Sequence, residues 1–145
     1  MAANSVYTPV VTRLRCLRGV STLTAFGLAV EISGWQRLTG RSIGAYLGLV
    51  PSESSSGATR SQGAITKTGN GHARRLLIEA AWQHRRPYRP RVALRRRWDH
   101  ASPAARARGQ HGNRRLHARW NDFEHRRKRP AVANTAIARE LAGWC

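Results

Sequence analysis

Three consecutive serines, Ser54, Ser55 and Ser56, followed by Gly57, are the residues of this sequence best suited to chemistry. A hydroxyl can attack or bind phosphate, and glycine lets a backbone approach a ligand closely. A serine oxygen is a poor nucleophile at its ordinary pKa. It needs a base, a metal, or cations that stabilise a pentacoordinate phosphoryl transition state. The nearest cations are Arg60, Lys67, Arg74 and Arg75. Glu53 beside the block has the ordinary character of a solubilising loop carboxylate. On composition alone, a Ser/Gly-rich stretch is more often a plain linker.

No other constellation competes. The six histidines include no pair at the i, i+4 spacing of a helical zinc site. The seven acidic residues are scattered singly, so no carboxylate cluster for magnesium is expected. Cys16 and Cys145 suggest two free thiols, with neither a disulfide framework nor a thiolate metal site.

The elements that must position the serines are helical. Residues 10–32 predict two short helices around a turn at Gly19, with Ser21 capping the second and Leu14, Leu17, Val20, Leu23, Ala25 and Leu28 as apolar positions. Such a helix-hairpin-helix-like unit can hold a phosphate without reading a base, or can simply pack. Residues 52–71, rich in Ser, Thr and Gly with Ile65 the only large aliphatic, predict a long loop. Helical spacing returns over 72–86, where Ala73, Leu77, Ala80, Ala81 and His84 share a face and Arg74, Arg75, Arg85 and Arg86 are left to meet phosphate. From Pro87 to Gly112 the text is so rich in Arg, Ala and Gly that mobility is expected without a bound polyanion. A further helix is expected from Asn113, striped by Leu116, Trp120 and Phe123, and a last one after Pro130. Trp82 and Trp144 continue apolar stripes and are expected to be buried, whereas Trp98 is the better base-stacking candidate.

The expected fold is therefore all-α, in one domain. It divides into an N-terminal tail (1–9), a core unit (10–97) carrying the serine loop, a basic segment (98–130) and a closing helix (131–145) that ends without a capping residue, as if truncated.

Twenty-six Lys and Arg against seven Asp and Glu give a net charge of +19 and a pI near 11.9, the balance of a chain that seeks a polyanion. The cations are mostly Arg, whose planar fork suits phosphate oxygens. No apolar span is long enough for a membrane, and no secretory signal is apparent. The expectation is a cytoplasmic protein that binds nucleic acid and not lipid.

The segment GAYLGLVPSESSSGATRSQGAITKTGNGHARRLLIEAAW resembles the most characteristic block of the insertion-sequence one-ten transposases, grouped with families one-sixteen and nine-oh-two. The likeness extends over roughly Leu14 to Arg97, and AVANTAIARELAGW is similar to the family's closing helix. The resemblance implies a recombinase with two catalytic parts. One is a RuvC-like domain with four acidic ligands for magnesium, which this chain lacks. The other is a domain whose serine joins covalently to DNA, with a bridge RNA as guide and a homo-oligomeric assembly. Carried over, the family's serine falls on Ser56, with Ser55 next and Ser54 third. Lys67 and Gly69 fall in its lysine-x-glycine text and Arg74 or Arg75 on its following arginine. Two functions compete: a transposase part whose serine forms a phosphoserine-DNA intermediate, and a non-catalytic nucleic-acid-binding remnant. A ribosomal-type RNA-structuring chain would explain the charge but not the serine block.

Overall fold

Short apolar stripes turn into a layered set of helices. α1 (Thr8–Leu14) buries Val11 and Leu14, and α2 (Thr22–Glu31) buries Ala25, Leu28 and Ala29. The turn between them contains Gly19 at φ 87°. Ser21 caps α2 by accepting the Thr24 amide at 3.2 Å, as its residue type predicts. Leu23, expected on the apolar stripe, is 82 % exposed; two residues from Ala25, it lies about 200° around the helix from the buried face.

After a turn of 3-10 helix at Trp35–Arg37 and α3 (Ser42–Tyr46) come two strands, β1 (Pro51–Ser56) and β2 (Thr59–Ile65), then α4 (Gly71–Ala81), α5 (Val92–Asp99), α6 (Pro103–His125) and α7 (Pro130–Trp144). This computed structural model describes residues 5–32, 34–56 and 59–145, and the side chains of 53–56 and 59–62 fall outside that description. The protein is mostly helical, as expected. No helix among the described residues is long and apolar enough to cross a membrane.

One core serves α1, α2, α4, α6 and α7. Leu14, Leu28, Leu77, Leu116, Trp120, Ile137 and Leu141 are at most 1 % exposed within it, and each buried Leu contributes about 2 kcal/mol. α4 carries the predicted stripe: Ala73, Leu77, Ala80, Ala81 and His84 are all buried. α7 folds back onto α4 and α6, and Asn134 donates to the Ile78 carbonyl at 2.9 Å.

Three expectations are corrected. The long loop is instead an antiparallel hairpin, pairing Pro51 with Ile65 and Glu53 with Gln62, with an irregularity between those rungs. Backbone bonds build it without an apolar face.

Most of the stretch 87–112 is helical, in α5 and the first half of α6. Ser102 accepts the Ala105 amide and starts α6 ten residues before the expected Asn113. Gly109 and Gly112 are contact points and not breaks. A Cβ at Gly109 would lie 2.6 Å from the Cys16 Cβ, and one at Gly112 would lie 2.9 Å from the Trp144 ring. Asn113, fully buried, accepts the Arg18 amide at 2.8 Å and donates to the Cys16 carbonyl at 3.1 Å.

The tryptophans exchange roles. Trp98 is 4 % exposed and donates to the Cys16 carbonyl at 3.2 Å, so it anchors a small second cluster with Leu94 and Cys16. Trp82 is 39 % exposed and lies stacked against Trp120 at 5.7 Å. The stripe closes at His84, leaving Trp82 at its edge, while Trp144 packs half-buried against the core as its stripe suggested.

Candidate functional site

The serine hairpin is held by its root. Leu47 and Leu49, both buried, fix the entry to β1, and the Leu49 amide donates to the Gly44 carbonyl at 2.9 Å. On the exit side, Thr66 N–H donates to the Val50 carbonyl at 3.0 Å and Lys67 N–H to the Gly48 carbonyl at 3.1 Å, so the two limbs stay paired beyond β2. Arg74 then ties both: its Nη1 donates to the carbonyls of Leu47 and Thr68 at 3.0 and 3.1 Å.

The limbs come this close only because two positions lack side chains. Gly48 and Gly69 have φ of 68° and 77°, a region that costs other residues energy. A Cβ on Gly48 would run into the Thr68 backbone, and one on Gly69 into the Tyr46 carbonyl.

A second tie reaches the helical hairpin. Asn70 caps α4 by accepting the Ala73 amide at 2.9 Å. Its amide nitrogen donates to Glu31 at the end of α2, and Glu31 Oε1 lies 3.0 Å from His72 Nδ1. The His72 hydrogen bond, followed by that of Asn70, holds the Glu31 carboxyl below its ordinary value of 4.5. The first helical unit and the exit of the β-hairpin are thus linked through one carboxylate.

The residues expected to act fall into two groups. Ser54, Ser55 and Ser56 lie in β1, where their backbones pair with Ser61, Arg60 and Thr59. The side chains of all three serines and of Arg60 lie outside the described residues. Lys67 is exposed at the root in a left-handed conformation, φ 56°, and Arg74 is beside it. Arg75 is exposed and pairs with Glu79 at 3.2 Å. Arg85 pairs with Glu124 at 2.9 Å and lies 5.8 Å from the Trp120 ring centre. Arg86 is exposed. Arg85 and Arg86 follow the far end of α4, about 20 Å from the hairpin root at 1.5 Å of rise per residue.

Sequence reasoning missed Glu31, Gly48 and Asn70. Asn70 was legible, because an Asn immediately before an apolar-periodic run is an N-cap signal. Among the described residues no three His, Cys, Asp or Glu gather where they could hold a metal ion.

The segment from α1 into α5, with this hairpin at its middle, is also the segment that matches known proteins. Residues 11–95, more than half of the chain, match the model of the Transposase IS116/IS110/IS902 family. The chain belongs to this family. Among curated transposases, it is 41 % identical over 138 residues to the putative transposase y4qE of Sinorhizobium fredii, covering 93 % of this chain and 35 % of that protein. It is 39 % identical over 70 residues to the transposase for insertion sequence element IS1328 of Yersinia enterocolitica, covering 48 % of this chain and 21 % of the relative. A probable family 20 transposase of Pseudomonas aeruginosa is 33 % identical over 89 residues, covering 61 % and 26 %. The chain thus spans about a third or less of the length of these transposases. No solved structure matches it. The family match takes in the serine hairpin, its glycine root, Arg74, Arg85 and Arg86, and it leaves α6 and α7 outside.

Proposed function

We propose that this chain is the DNA-handling part of a transposase, with Ser56 as the nucleophile and Ser55, then Ser54, as the alternatives. The observation that supports this is the root of the hairpin: two left-handed glycines, Arg74 and a Glu31–Asn70 tie fix a serine-bearing strand pair to the helical core.

The step is a phosphoryl transfer. The serine oxygen loses its proton, bonds to the phosphorus of a DNA phosphodiester and displaces one sugar oxygen, which leaves as a hydroxyl after taking up a proton. The phosphoserine ester conserves the bond until another strand's hydroxyl attacks it and releases the serine, so no nucleotide cofactor is consumed. Lys67 at the root and Arg60 in β2 are the cations assigned to the phosphate charge that builds in the transition state. Magnesium, the RuvC-like domain that would hold it, a bridge RNA and a homo-oligomer belong to this proposal as features of the whole transposase. No step is routed through magnesium in this chain.

The competing reading, a nucleic-acid-binding remnant without chemistry, differs in one outcome. Incubation with nicked element-end DNA, with and without a supplied RuvC-like domain and RNA, is expected to give a covalent adduct that Ser56→Ala abolishes. Salt-sensitive binding with no adduct under any of these conditions would leave the remnant.

A further inference from the structure

We propose a second nucleic-acid contact away from the serine hairpin: an arginine-lined groove between the Gly19 turn and α5 that takes the phosphodiester backbone of duplex DNA. It rests on the DNA-handling reading above and adds to it a place, a set of residues and a duplex ligand.

The groove encloses about 660 Å³ and is lined by Arg18, Arg86, Arg89, Arg91 and Arg97, with Gly19 at its wall and no carboxylate among its lining residues. Two of these arginines build it. Arg18 donates from Nη1 to the Pro87 carbonyl at 3.0 Å and from Nη2 to the Arg86 carbonyl at 2.8 Å, and its guanidinium lies 5.4 Å from the Tyr88 ring centre. Arg97 donates from Nη1 to the Val20 carbonyl at 3.1 Å. Together they bind the segment after α4 and α5 itself to the turn of the helical hairpin.

Both builders are partly withdrawn from water, and burial lowers the pKa of each. The other three, Arg86, Arg89 and Arg91, are exposed, and their side chains make no hydrogen bond or ion pair among the described residues. Elsewhere the protein spends its few carboxylates on arginines, as in Arg75–Glu79, Arg85–Glu124 and Arg115–Glu140. Five guanidinium groups around one concavity with no counter-charge repel one another, and an anion with evenly spaced charges relieves that repulsion. The fork geometry of arginine suits phosphate oxygens. Besides the arginines the lining is Gly19, Gln83, Pro87, Ala93 and Leu94, with no aromatic ring among them, and the nearby Tyr88 ring is already faced by Arg18. An unpaired base finds no free ring to stack on, which favours a duplex backbone over a single strand.

The groove lies past the far end of α4 from the hairpin root. A duplex seated there is therefore gripped at a distance from the reacting phosphate, and the groove sets affinity without choosing the bond that is cut.

The test compares the 145-residue chain with two triple variants of equal charge. One is Arg86→Ala, Arg89→Ala, Arg91→Ala in the groove. The other is Arg41→Ala, Arg126→Ala, Arg129→Ala at exposed positions elsewhere. Binding to a duplex DNA, a duplex RNA and a single-stranded DNA of one sequence is measured as a function of salt. Each phosphate contact removed is expected to lower the slope of log K against log salt by about 0.9, and affinity at 0.1 M salt by up to about eightfold. The expected result is that loss for the groove variant on duplex DNA, and a much smaller one for the control variant. Equal losses for the two variants, or a groove effect confined to either RNA duplex or single strand, would overturn the groove while leaving DNA handling intact. A parent chain that fails to bind any DNA would instead remove the reading on which the groove rests.

Discussion

Two glycines only two residues apart should respond to the same substitution with opposite signs. Gly69 sits at φ 77°, and its added Cβ would enter the Tyr46 carbonyl; Gly71 begins α4, and its nearest neighbour would be an Arg74 nitrogen at 3.4 Å. At Gly71 alanine removes unfolded-chain freedom without strain, a gain of about 0.5 kcal/mol. At Gly69 it costs 1–2 kcal/mol for the left-handed backbone, and roughly as much again if the limbs part and the Lys67 and Arg74 bonds weaken. The expected gap is roughly 3 kcal/mol, or about 10 °C in Tm for a chain of this size. Thermal and urea unfolding followed by circular dichroism measure it. Tryptic cleavage after Lys67 reports opening confined to the root, and is expected to speed up in Gly69→Ala only. If both variants unfold within 0.5 kcal/mol of each other and are cleaved alike, the root is not the clamp described above.

Other consequences follow from single side chains. Asn113→Ala strips the part-buried Arg18 amide of its acceptor at a fully buried position and should destabilise the fold by about 1–3 kcal/mol in urea titration, since a donor left without a partner away from water is costly. His84 is fully buried and its pKa is lowered to about 3, by burial first and the Arg18 charge second. The unfolded chain therefore takes up a proton below pH 6.5 that the folded one refuses. Stability should fall with acid between pH 6.5 and 3 by up to about 1.4 kcal/mol per pH unit, and His84→Gln should flatten that limb in unfolding titrations. Glu31 carries the second acid-sensitive contribution: with its folded pKa held below 4.5, its stabilising effect is full above that value and is lost as pH falls through the lowered one. Glu31→Gln should remove this loss, and acid-limb titrations that match the parent chain would contradict the tie to His72 and Asn70.

How much of this was legible follows from what each residue type advertises. Helices with a capping residue and an apolar stripe were plain: Ser21 before α2, the 73–77–80–81–84 face of α4, and the Leu116–Trp120–Phe123 stripe of α6. The β-hairpin was hidden because its pairing uses backbone groups, and serines carry no alternating apolar signal. The start of α6 was hidden because Gly109 and Gly112 signal a break by propensity, yet here they make room for Cys16 and Trp144. Trp98 seemed exposed because its neighbours in sequence are charged; its burial depends on the Cys16 carbonyl, 82 residues away. For the site, the serine block and the arginines of α4 stood out through the resemblance to the family, since composition alone read the block as a linker. The groove did not, because Arg18 and Arg97 meet only after the turn and α5 have packed.

The most direct measurement is the position of the covalent bond. The chain is trapped on nicked element-end DNA with a RuvC-like domain and an RNA supplied, then digested, and the peptide bearing the nucleotide is sequenced by mass spectrometry. A nucleotide phosphate on Ser56, or on the adjacent Ser55 or Ser54, is the predicted result. A nucleotide on Tyr46 or any other residue outside the hairpin would contradict it, as would binding without any adduct.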